Sequence, residues 1–196
     1  MGNTTNMLIE HLVNGFHFFV ALVLLLLCIL DVEFFNPFFT FLIGGNKDIL
    51  VAIYILFLPF VYTLGIIIDH FVDDVIYTKW ENKIRNEILQ GKSSRQLIML
   101  TNDQNQASQL DSIRTKIRIT RTTSFNFAII SIFSLALLLT RFDTDTHHFF
   151  IILFLIILVG PMLSYLAYWS WKRNTVSFCR RVVDGYKMFE EKTKEV

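Results

Sequence analysis

Four apolar runs, each about 20 residues long, dictate what this chain can become. They are Phe16 to Leu30, with a start as early as Met7, then Ile49 to Ile68, Ser124 to Thr140 and Phe149 to Trp171. Helical residues rise 1.5 Å each, so about 20 of them cross a hydrocarbon layer roughly 30 Å thick. In that layer no water is present to satisfy backbone N–H and C=O groups, and a helix pairs them within itself. A soluble core built from 196 residues cannot hide such runs, since 53% of the chain is hydrophobic, 20 residues are Phe and only 18% are charged. The expectation is an all-α integral membrane protein of four helices, which excludes a soluble enzyme and a DNA-binding domain. No Lys or Arg precedes the first run, and Asp31, Val32 and Glu33 follow it, so it reads as a retained anchor rather than a cleaved leader.

Orientation follows from the basic residues. Sixteen of the 18 Lys and Arg fall between spans two and three or after span four. The positive-inside rule puts both segments, and with them both termini, in the cytoplasm, in a multi-pass protein of the inner membrane. The outer loops carry Asp31, Glu33, Asp48, Asp143 and Asp145 against Lys47 and Arg141, an acidic balance. The short loop Arg141 to His148 makes spans three and four an antiparallel pair. Tyr165, Tyr168, Trp169 and Trp171 read as an interfacial aromatic belt. Cys28 in the first span and Cys179 in the tail are too far apart in this layout to form a disulfide framework.

The chain divides into residues 1–68, the first two spans with their flank; 69–123, a long cytoplasmic helical hairpin extending spans two and three; 124–171, the last two spans; and 172–196, a cytoplasmic amphipathic helix. Phe71, Val75, Trp80, Ile84 and Ile88 continue span two as a helix to about Gln90, ended by Gly91. Asn102 or Asp103 caps a return helix that carries Leu110, Ile113 and Ile117 into span three. Laying the two arms antiparallel sets Asp69 near Arg121, Asp73 and Asp74 near Arg118, and Glu81 near Asp111 and Arg114. Arg114, Arg118 and Arg121 form one helical stripe suited to forked pairing with carboxylates, lipid headgroups or another anionic ligand. At the tip, Leu97, Ile98, Met99 and Leu100 form an apolar contact patch, expected to serve self-association or a cytoplasmic protein partner. In the tail, Val176, Cys179, Val183, Tyr186 and Phe189 form an apolar stripe that packs on the hairpin or lies on the inner leaflet.

Polar groups inside the bilayer carry the functional expectation. Glu10, Asn14 and His17 recur at i, i+4 and i+7, one polar stripe that would line a pore if the first helix starts by Met7. Pro59 and the Gly160-Pro161 pair are expected to kink spans two and four. Asp69, His70, Asp73 and Asp74 cluster at the exit of span two; arginine partners account for them more simply than a metal does. The Arg141 to His147 spacing matches one class of helical ribonucleases but lies on the outer side. No nucleophile with a base is visible, so neither an enzyme nor a cofactor is expected.

Four spans, short outer loops and a charged inner hairpin resemble large-pore channel subunits such as connexins, although the outer loops lack the connexin cysteines. The size of the chain and its Arg-rich return helix, Asp111-Ser112-Ile113-Arg114-Thr115-Lys116-Ile117-Arg118-Ile119-Thr120-Arg121, resemble small bacterial four-span membrane effectors and sensors of anti-phage systems. The Kiwa membrane subunit is one type of these. The expectation is a homo-oligomeric channel or membrane-perturbing effector gated through the hairpin. The alternative is a non-conducting sensor or anchor that recruits a cytoplasmic partner.

Overall fold

A computed structural model describes residues 2–30, 32–44, 47–142 and 148–194. Asp31, Asp143, Asp145 and His147, all named above, lie outside the described residues. The described chain is helical throughout: α1 (Gly2–Ile29), α2 (Val32–Gly44), α3 (Lys47–Phe71), a π-helical turn (Val72–Tyr77), α4 (Thr78–Leu89), α5 (Ser94–Thr101), α6 (Gln104–Arg141) and α7 (Phe149–Lys194). α1, α3, α6 and α7 are each long and apolar enough to cross a membrane. α2, at 13 residues, is too short to do so, and its Phe34 and Phe41 are exposed.

Two helix boundaries have a clear local cause. Asp103 caps α6, its carboxylate accepting from the N–H groups of Asn105 at 2.8 Å and Gln106 at 3.2 Å. α4 ends on Gln90 and Gly91, both at positive φ, where glycine is at ease and glutamine is not. Pro59 and Pro161 both lie inside helices that continue past them, with Pro59 exposed. A π-helical turn follows α3 at Val72–Tyr77. α7 runs unbroken through Trp171, so the amphipathic tail continues the helix of span four without a break.

Within the apolar half, α1 packs between α3 and α6, and α7 packs on α6 alone, so spatial order departs from chain order. Glycines make the first contact possible. A Cβ on Gly15 would overlap the carbonyl oxygen of Val61, and one on Gly65 the carbonyl oxygen of His11. The backbones of α1 and α3 therefore touch, as small residues permit in a bilayer. α6 and α7 are clasped by two reciprocal bonds: Ser124 Oγ donates to the Ser164 carbonyl at 2.9 Å, and Ser164 Oγ to the Ser124 carbonyl at 2.8 Å. Gly160 sits against Ser131 on the same seam.

Beyond the spans, α4, α5, α6 and the second half of α7 share an apolar core of Val72, Tyr77, Leu97, Leu110, Ile113, Trp171, Phe178 and Val182. α7 supplies the packing partner for α4, so the hairpin arms do not form a two-helix stalk. Of the two placements open to the tail, packing on the hairpin is the one observed; of the expected stripe Cys179 is buried and Tyr186 packs against the core, while Val176, Val183 and Phe189 are half-buried and the fully covered face adds Trp171, Thr175, Phe178 and Val182. Trp171 is wholly buried against Tyr77, ring centroids 4.7 Å apart, and so leaves the expected aromatic belt, while Tyr165 and Trp169 stay exposed.

Candidate functional site: a polar core where the spans meet the hairpin

Two buried polar clusters meet where α3 passes into the π turn. The first is centred on Arg121 of α6, which is 3% exposed. Its Nη2 donates to Asp69 at 3.1 Å, its Nη1 donates to Asp73, and Glu81 lies 3.6 Å from Nη1. Thr122 Oγ1 also donates to Asp69, at 2.8 Å, and Arg85 pairs with Glu81.

The π turn explains why Glu81 belongs to this set. Twelve residues of regular helix would carry Glu81 about 120° around the axis from Asp69. A π turn absorbs about one residue, which reduces the offset to roughly 20° and brings both carboxylates to Arg121. The Asp69 to Arg121 pairing expected from the sequence is present. Asp73 meets Arg121 rather than Arg118, Asp74 is exposed, and Arg114 bonds Asp111 and Ser94, each at 2.8 Å, rather than Glu81. An antiparallel register drawn from uniform helices misplaces these residues because the π turn shifts the helical phase downstream of Asp73.

The second cluster is contributed by α1. The helix begins at Gly2, so Glu10 and Asn14 lie well within it, and both are completely enclosed by the chain itself. Asn126 of α6 donates from Nδ2 to the backbone carbonyl of Asn14 at 3.0 Å. Among the described residues, both Glu10 carboxylate oxygens and His11 Nδ1 have no hydrogen-bond partner. His11 packs edge-on to Tyr62, ring centroids 5.5 Å apart, and half-buried His17 lies 5.2 Å from the Phe127 ring. The stripe of Glu10, Asn14 and His17 thus faces neighbouring helices of its own chain.

One ligand atom from each of Glu10, His11 and Asp69 lies within 4.8 Å of the others. A nitrogen and two carboxylate oxygens at that separation could close on a divalent cation, since ligands about 2.1 Å from an ion stand roughly 3.4 Å apart in a tetrahedral set. This group differs from the Asp69, His70, Asp73 and Asp74 cluster suggested by the sequence, in which His70 and Asp74 are exposed. His11, Thr122 and Asn126 were not singled out from the sequence as site residues. A lone Asn within an apolar span was the available signal for Asn126; nothing local pointed to the other two.

The tip patch divides. Leu97 is buried, Ile98 half-buried, and Met99 and Leu100 are exposed. Gly185 of α7 admits Leu97, whose side chain a Cβ there would crowd. No known protein family, curated protein or solved structure matches the chain.

Proposed function

We propose that this chain is a non-conducting membrane sensor or anchor subunit, a membrane-embedded bundle whose helices run on without a break into a cytoplasmic one. The observation that carries the reading is the complete enclosure of Glu10 and Asn14 within a single chain. Polar groups in a bilayer face a bundle interior or a water-filled path, and here the bundle interior accounts for them. A pore between subunits would need such groups turned outward to a shared axis.

The cytoplasmic placement of the hairpin end is supported by the Lys and Arg bias. α6 and α7 each continue from the spans into the hairpin core, so a displacement at one end is delivered to the other through a rigid element. Exposed Met99 and Leu100, the latter sharing a surface groove with exposed Met188, support partner recruitment or pairing with a second copy. Anti-phage defence is one setting for such a unit, and only the topological resemblance supports it.

Conductance across a planar bilayer tests the reading. Purified protein is expected to stay silent at all voltages, as an empty-vesicle control does. Discrete current steps that change with Glu10→Gln or His17→Leu would overturn it in favour of a channel.

A further inference from the structure

Five arginines from three elements converge on one cleft of 410 Å³ beside the hairpin core: Arg85 of α4, Arg95 of α5, and Arg114, Arg118 and Arg121 of α6. Ser93 and Ser94 complete its polar wall, and Asp73 and Glu81 are the carboxylates that line it. Asp111, from just outside, takes Arg114. Arg95 and Arg118 make no ion pair among the described residues, so positive charge is left over in a half-open groove. We propose that this cleft binds a phosphate-bearing anion.

The arginines are held ready for such a ligand. The guanidinium groups of Arg85 and Arg114 lie over the same Phe178 ring, 5.8 and 5.4 Å from its centroid. The ring contact holds both guanidinium groups in place; Arg114 already donates from Nη1 to Asp111 and from Nη2 to Ser94, and Arg85 pairs with Glu81, so a phosphate would share or take over these donors. Arg121, almost wholly buried on the cleft wall, has an Nε without a hydrogen-bond partner, and so does Arg85. α5 begins at the same wall, and its N-cap Ser93 makes no side-chain capping bond, leaving first-turn N–H groups for an anion. Serine hydroxyls, backbone N–H groups and arginine forks together match phosphate better than a lone carboxylate, and the volume exceeds what one phosphate fills. Two sources fit this chemistry: a soluble nucleotide, or the headgroup of a phospholipid, since Arg121 stands three residues before the start of the apolar run at Ser124. The cleft would be the input of the sensor proposed above, but it stands independently of conductance, and a failure to bind phosphate would leave the anchor reading in place.

Thermal unfolding of the full-length protein in nanodiscs tests the site. In neutral phosphatidylcholine discs, ATP and pyrophosphate are titrated as soluble probes; in a second arm the discs carry phosphatidylglycerol and no soluble probe is added. A rise in Tm with ATP or pyrophosphate identifies a soluble ligand, and a rise only with phosphatidylglycerol identifies the headgroup. In either case Arg95→Gln and Arg118→Gln, which disturb no ion pair, should each weaken the response about 10-fold, the loss expected for a charge-assisted hydrogen bond. Arg180→Gln, on an exposed part of α7 outside the cleft, should leave it unchanged. No response in either arm, or an equal response from the Arg95→Gln/Arg118→Gln double variant, would overturn the proposal.

Discussion

Arg121 and Glu10 are buried almost equally, one on α6 and one on α1, yet their surroundings are opposite. Arg121 has two carboxylates bonded to its Nη atoms and a third within ion-pair reach, while Glu10 has no hydrogen-bond partner for either oxygen. A buried charge paired with carboxylates holds elements in register, and here Arg121 ties α6 to α3, the π turn and α4. A buried carboxylate without a partner costs free energy, and a chain that keeps one is not optimised for stability at that position. The difference separates a structural lock from a candidate working group, although Asp69 touches both.

Substitution can break this comparison. Arg121→Met should have the largest effect, because it leaves the buried Asp69 carboxylate without its arginine, while Glu81 keeps Arg85 and Asp73 is partly exposed; a loss of about 3 kcal/mol is expected in detergent-solubilised unfolding. Glu10→Met should act in the opposite direction. Replacing an unpartnered carboxylate by an apolar side chain of similar size is expected to raise stability by about 1–3 kcal/mol. If Glu10→Met instead lowered Tm as Arg121→Met does, Glu10 would be a lock as well, and the contrast would fail. Asp74→Asn marks the small end of the series: Asp74 is exposed and outside the Arg121 set, so its replacement should stay within about 0.5 kcal/mol of wild type. A larger loss would show that Asp74, and not only Asp73, belongs to the lock.

The same contrast runs along α7. Its first half shows Phe150, Phe154, Ile157 and Leu158 outward and packs on α6 along one side; past Trp171 one face of the helix is buried among α4, α5 and α6, while Lys172, Arg173, Arg180 and Arg181 stay exposed. In lipid, apolar side chains lose nothing by facing outward, and small residues such as Ser164 and Gly160 make the contacts. In water the same helix must cover Phe178, Cys179 and Val182. One continuous helix thus obeys two packing rules, and the change comes at Trp171.

Several features were decided by the sequence alone, because they depend on short-range chemistry. The number of spans follows from hydropathy and length, the start of α6 from the Asp103 side chain, and the end of α4 from Gly91. The Asp69 to Arg121 pairing was also legible, since both residues sit next to membrane exits that topology sets opposite each other. Tertiary structure decided the rest. Glu10, His11 and Asp69 converge because Gly15 and Gly65 let two backbones touch, a contact that neither span announces on its own. Glu81 reaches Arg121 because a π turn shifts helical phase by about one residue, and no residue pattern marks that turn. Whether the Glu10 stripe looked inward or outward depended on which helices α1 packs between, because a helical stripe specifies a face and its neighbours decide what that face meets.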